Sequence, residues 1–130
     1  VYGNLVQGLT VQRILQVWVT DITYIRTLEG FVYLALLTDS FSRKILGWDL
    51  SDALELEGCL RALKMALKPL PKDWQQHYPC IHHSDRGSQY CAYAYTDLLK
   101  QHQLQISMAA AGNCYENAQA ERINGILKTE

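Results

Sequence analysis

The chain has no apolar run approaching the ~20 residues that cross a bilayer, and no internal repeat or low-complexity tract. Its four cysteines (Cys59, Cys80, Cys91, Cys114) form no C-x-x-C pair, and positive charge shows no surplus. Each absence removes a class of function. Without an apolar span, no membrane role is expected. The opening "VYGNLVQGLTVQ" lacks a basic n-region followed by an apolar block, which argues against a signal peptide and for the cytoplasm; the first residue is not Met, as in an excised piece. Zinc ligation by Cys80, His82, His83 and Cys91 fits no usual ligand spacing, so reduced, packing cysteines are expected. Neither Ser88 nor the cysteines carry an activating triad pattern, which disfavours a serine or cysteine hydrolase. A net charge of −1 is low for a protein that grips phosphates, so any affinity for nucleic acid must come largely from elsewhere.

What remains is a chain of 130 residues, nearly half of them hydrophobic, long enough for one domain with a core. Residues 1–16 show weak periodicity and read as a leader or linker, with the domain proper at 17–130. "VWVTDITYI" (17–25) is β-branched and aromatic and predicts a strand. Period-two alternation puts Val17, Val19, Asp21, Thr23 and Ile25 on one face and Trp18, Thr20, Ile22 and Tyr24 on the other. Both faces are largely apolar, so the strand should be interior. "FVYLALLTDS" (31–40) and "KILGWDLS" (44–51) predict two more strands joined by short turns in an antiparallel meander.

Residues 52–70 switch to helical periodicity, with Leu56, Leu60, Leu63 and Leu67 as the apolar stripe, acids first and bases last, and Pro69 and Pro71 as the stop. Arg61, Lys64, Lys68 and Lys72 form either a solvated face or a basic stripe for DNA, the former being the ordinary outcome. A fourth strand (77–84) follows by a crossover, then a short helix (92–103), a fifth strand (104–109) and a helix (116–130). The order β-β-β-α-β-α-β-α describes a mixed α/β sheet with helices packed on it.

Three acids fit that scheme poorly as structure. Asp21 sits inside an interior strand, where a carboxylate is costly without a partner. Asp85 ends the fourth strand in "CIHHSDRGSQY", at the edge where α/β sheets place ligands. Glu121 lies on the last helix, on one face with Asn117, Asn124 and Lys128. If the crossover brings the first and fourth strands together, Asp21 and Asp85 become neighbours. Carboxylates held close repel unless a divalent cation lies between them, and oxygen-only ligands suit Mg²⁺ or Mn²⁺.

At this point the segments "WVTDITYI", "HHSDRGSQY" and "GNCYENAQAERINGILKTE" resemble the signature segments of insertion-sequence transposases related to retroviral integrases. Thirty-five residues separate Asp85 from Glu121, the interval of the D,D(35)E group. "LLTDSFSRKILGW" resembles the segment that follows the first aspartate, and the likeness runs over roughly residues 15–130. It implies a ribonuclease-H-like fold with a five-stranded mixed sheet and Asp21, Asp85 and Glu121 as both catalytic and metal-binding residues. It implies Mg²⁺, with Mn²⁺ as a substitute and two ions when DNA is bound. The implied activity is cleavage of DNA at element ends and joining of a 3′-hydroxyl to target DNA, by a homodimer or higher oligomer at the nucleoid of a bacterial cytoplasm. Lys128 matches a DNA-contacting position, and Arg86, Arg122 and Asn124 are further candidates. Family members carry an N-terminal DNA-recognition region and a core that continues past the last helix; neither is visible here. The stretch "SMAAAGNCYE" departs from the polar or basic loop of many relatives, because its alanines offer no phosphate contact.

Other residues have plainer readings. Asp39 is expected to cap a turn, and Glu116 to be a first-turn acid favoured by the helix dipole. Arg86 either approaches phosphate or braces its turn. Gly87 lets the backbone turn away, His83 faces the Asp85 side, and His82 packs inward. The rivals are a hydrolytic nuclease with the same acids, and a non-enzymatic remnant or assembly module.

Overall fold

A computed structural model of the chain describes residues 2–71 and 73–109. Five strands, β1 (Val17–Thr27), β2 (Gly30–Asp39), β3 (Ile45–Ser51), β4 (Ile81–Ser84) and β5 (Gln105–Met108), form one sheet in the order β3-β2-β1-β4-β5. β1, β2 and β3 make the antiparallel meander, whereas β1–β4 and β4–β5 are parallel. β1 is therefore interior, as its two apolar faces predict. The helices are α1 (Leu56–Leu67), α2 (Trp74–His77), α3 (Ser88–Cys91) and α4 (Tyr93–Gln101). The predicted helix at 116–130 lies outside the described residues.

One face of the sheet packs on the helices: Trp18, Leu37 and Ile106 share a core with Leu63, Tyr90, Tyr95 and Leu99. On the other face, Val17 and Val19 are covered by Val6, Val11 and Ile81. Residues 2–16 contain no regular element but are tied to the sheet. The Leu5 N–H donates to Ser107 Oγ at 2.8 Å, and the Met108 N–H donates to the Gly3 carbonyl at 3.0 Å along the outer side of β5.

The predicted boundaries shift where local chemistry overrides periodicity. The fourth strand begins at Ile81 rather than 77, because the Tyr78 N–H closes a helical turn on the Trp74 carbonyl, their rings 4.6 Å apart. Pro79 then has no N–H to give a ladder. The long helix starts at Leu56, so Asp52 and Glu55 precede it and only Glu57 lies in its first turn. Its buried side is Gly58, Cys59, Ala62, Leu63, Ala66 and Leu67, while Leu56 and Leu60 of the predicted stripe are only half-buried. The reason is close backbone packing on β3: a Cβ on Gly47 would stand 2.2 Å from the Ala62 carbonyl oxygen. Small residues therefore occupy the seam and leucines flank it. Asp39 is the expected turn cap. Only 1 % exposed, its carboxylate accepts from the Leu15, Phe41 and Ser42 amides and from Ser42 Oγ at 2.6 Å.

Gly47→Ala should push α1 off β3 and cost about 1–3 kcal/mol or more, the scale of core overpacking. Urea unfolding should show a lower midpoint with an unchanged slope.

Candidate functional site

The site follows from the register of two parallel strands. Val17 pairs with Ile81, Trp18 with His82 and Val19 with His83. Continued two residues past the ladder, that register leads to Asp21 on one strand and to Asp85, just beyond the end of β4, on the other. β4 ends at Ser84, so past this level β1 has no neighbour on that side among the described residues. A cleft of about 220 Å³ runs along the opened edge, and Asp21 and Asp85 both line it. Ile22, Thr23, Tyr24, Tyr33 and Leu54 border one side, and Gly87, Gln89 and Tyr90 the other.

Both aspartates are half-buried, and a backbone amide orients each. The Ile22 N–H donates to Asp21 Oδ1 and the Gly87 N–H to Asp85 Oδ1, both at 2.8 Å. The second is an Asx turn, which fixes the Asp85 side chain against its own loop. Gly87 has an ordinary backbone, φ −58° and ψ 148°, so freedom to turn is not why glycine stands there. The reason is space: a Cβ would lie 2.9 Å from Asp85 Oδ1 and 3.1 Å from Gln89 Oε1.

Beneath the cleft lies a buried polar layer. Tyr90, 2 % exposed, shares a hydrogen bond of 3.2 Å between its hydroxyl and Thr20 Oγ1, next to Asp21 in the strand. His82 Nε2 and the Tyr95 hydroxyl are 2.7 Å apart, and the Tyr90 and Tyr95 rings meet edge to face at 5.3 Å. Burial pushes both tyrosine hydroxyls well above their ordinary pKa, so they stay protonated and neutral. Burial also holds the His82 imidazole down to about 3. His82 thus packs inward as expected. His83 is equally buried, with Nδ1 2.8 Å from Ser107 Oγ, a side-chain link between β4 and β5.

Of the other predicted site residues, Arg86 is exposed at the loop, and one guanidinium N–H donates to the Tyr2 carbonyl at 2.8 Å. That contact braces the N-terminal segment rather than its own turn. Glu121, Arg122, Asn124 and Lys128 lie outside the described residues, as do Glu116, Asn117 and Cys114. Among the described residues no three His, Cys, Asp or Glu side chains gather as a metal-holding group. Cys80, His82, His83 and Cys91 are among the residues that form no such group. Burial raises the Cys59 and Cys80 thiols to about 11, unsuited to nucleophilic work. Arg61, from the predicted basic stripe, is paired with Asp49 at 2.8 Å.

The donor set of the cleft fits a hard divalent cation: two carboxylates, half open to solvent, with no thiol or imidazole among the described residues that line it. A larger groove of about 540 Å³ between the ends of α1 and α4 holds one acid, Asp73, beside Lys64 and Lys68, and lacks such a pair. Tyr24, Tyr33 and Leu54 escape the sequence reading because alternation assigns Tyr24 to the face opposite Asp21. Only the early end of β4 exposes both faces to one cleft.

Comparison with known proteins agrees with this geometry. Residues 12–114 match the family model described as integrase core domain. The chain is 43 % identical over 116 residues to a transposase for insertion sequence element IS629 of Shigella sonnei, covering 88 % of this chain and 37 % of that protein. It is 44 % identical over 115 residues to transposase InsF for insertion sequence IS3fB of Escherichia coli strain K12, covering 88 % and 38 %. The chain thus spans about two fifths of the length of the curated relatives it matches. Among solved structures, a simian T-cell lymphotropic virus intasome in complex with PP2A regulatory subunit B56 gamma superposes with a TM-score of 0.75 at 21 % identity, over 88 % of this chain and 39 % of that one. The HTLV-2 integrase catalytic core domain in complex with magnesium, in a trimeric form, gives 0.69 at 17 % identity, over 88 % and 68 %. These likenesses establish the ribonuclease-H-like fold.

His82 makes stability depend on pH in a definite sense. Its folded pKa is about 3 against about 6.5 unfolded, so below pH 6.5 the unfolded state takes up a proton that the folded state refuses. Stability is whole above that value and falls by up to about 1.4 kcal/mol per pH unit toward pH 3. The groups facing the imidazole are Tyr90, Tyr95 and His83, none of which supplies a compensating negative charge. Urea unfolding at pH 7 and pH 5 should differ by about 2 kcal/mol more in the parent chain than in His82→Gln.

Proposed function

The chain belongs to the integrase core domain family, and from that premise we propose that it is the catalytic core of an insertion-sequence transposase, a polynucleotidyl transferase. It cuts DNA at element ends and joins the freed 3′-hydroxyl to target DNA. The observation that carries this reading is the β1–β4 register, which supports Asp21 and Asp85 as two parts of one acidic site. Transposases among its relatives support the substrate class.

In this reading Asp21, Asp85 and Glu121 hold Mg²⁺, for which Mn²⁺ substitutes, with two ions when DNA is present. Bound there, the ions supply Lewis-acid stabilisation of the phosphodiester's attacking and leaving oxygens. The protein's own part is positional. Asp21 is fixed by the central strand and its own amide hydrogen bond, and Asp85 by the Asx turn that Gly87 leaves room for. Tyr90 and Thr20, hydrogen-bonded to each other beside Asp21, add no charge of their own to the site. Unscreened, these acids repel, so cation binding and a closed carboxylate pair are coupled. Arg122, Asn124 and Lys128 contact the DNA, joined by the guanidinium N–H groups of Arg86 other than the one given to Tyr2. With a net charge of −1, the rest of the affinity comes from segments of the longer protein. The active form is a homodimer or higher oligomer at the bacterial nucleoid; the HTLV-2 cores are described in trimeric and dimeric forms.

Asp21→Asn, Asp85→Asn and Glu121→Gln should each lower Mn²⁺-dependent processing of DNA with a pre-cut 3′ end by at least about a hundred-fold. Loss of a residue that only hydrogen-bonds a metal ligand already costs about 10–100-fold. Strand-transfer products identify a transposase, and hydrolysis alone a nuclease of the same fold. Independently of activity, Mn²⁺ should broaden the amide resonances around Asp21 and Asp85, and Asp85→Asn should abolish that. Unaltered broadening in the variant would refute the metal site.

A further inference from the structure

We propose that Tyr24, held by Phe31 and Tyr33, is a stacking platform for an unpaired nucleobase of the strand whose phosphate lies at the carboxylates. This subsite rests on the reading of the cleft as a phosphodiester site.

The aromatic group is built into the β1–β2 hairpin. Tyr24 pairs directly with Tyr33, and Arg26 with Phe31. The rings of Tyr24 and Phe31 meet edge to face, 5.3 Å apart at 85°, and those of Tyr24 and Tyr33 stand 6.5 Å apart at 57°. These contacts fix the Tyr24 side chain without covering it: 62 % of Tyr24 and 52 % of Phe31 remain exposed. A tyrosine held in place by neighbouring rings yet mostly left in water presents apolar area at little entropic cost.

Position identifies the occupant. Tyr24 and Tyr33 line the same cleft as Asp21 and Asp85, because β1 loses its neighbour where β4 ends. Three residues of strand separate Asp21 from Tyr24, about 10 Å at 3.3 Å per residue, short enough for base and phosphate to belong to neighbouring nucleotides. Arg26, exposed and two residues further on the Tyr24 face, supplies a cation for the next phosphate. A base inside a duplex cannot reach such a ring, so the base must be unpaired. Stacking tolerates any base, since each has a π-face, and it does not depend on the positive charge that this chain lacks. That combination suits a core that acts at a frayed or already cut end.

The test uses the whole chain, in Ca²⁺ to suppress cutting, with a DNA duplex bearing a short single-stranded extension. A second duplex carries abasic residues in the extension. Fluorescence anisotropy should show the parent chain binding the base-bearing DNA more tightly. Tyr24→Ala should lose about ten-fold on that DNA, equivalent to about 1.4 kcal/mol and within the stacking range, and almost nothing on the abasic DNA. Tyr24→Trp should restore the preference. Equal loss on both DNAs, no loss on either, or no binding by the parent chain overturns the platform. So does a Tyr24→Ala effect confined to self-association in sedimentation, which would make the patch a contact between copies. If the base preference persists in a chain whose cutting needs no divalent ion, only the metal reading of the cleft has failed.

Discussion

Everything at the site depends on one pairing, the parallel ladder between β1 and β4. Only three residue pairs stand in register in it, yet they lead each strand to its aspartate. A slip of one residue would turn one carboxylate to the opposite face. The ladder is held by what surrounds it. Trp18 is fully buried against the helices, Val17 and Val19 are covered by Val6 and Val11, and His82 and His83 are each pinned by a hydroxyl. The histidines beside Asp85 therefore act on the register that aims it.

The second constraint is where the ladder stops. β4 is four residues long, so β1 runs on past it with an open edge. That accident of length makes the cleft and admits side chains from both faces of β1 to its wall. It also explains why a strand so apolar along most of its length can carry a carboxylate near its middle. Asp21 sits where the sheet's interior gives way to solvent, half-buried rather than sealed in.

Close approach recurs as a theme of the small residues. Gly47 lets α1 lie against the edge strand, with Cys59, Ala62 and Ala66 on the seam and leucines beside it. Gly87 leaves room for the Asp85 carboxylate to fold back on its own loop. In both places glycine is needed for what it lacks beyond the backbone, not for an unusual dihedral. Asp39 is the counter-example among the acids: it is more buried than Asp21, but its four hydrogen bonds from the adjoining turn and Leu15 make it a structural cap.

The sequence by itself determined the five strands, α1, α4 and the interior position of the first strand, because period-two and period-3.6 burial are written in local order, and it singled out Asp21 and Asp85, which line one cleft. It could not assign Tyr24 to the Asp21 cleft, since alternation separates them and only a neighbour's early end reunites them. Nor could it rotate the α1 stripe from Leu56 and Leu60 toward Ala62 and Ala66, which follows from a glycine fifteen residues upstream of Ala62 on another element. The contact of Arg86 with the Tyr2 carbonyl likewise involves a segment far away in the chain. Local propensity fixes which residues form elements; which of them share a wall depends on register, strand length and backbone separation, and those exist only once distant segments meet.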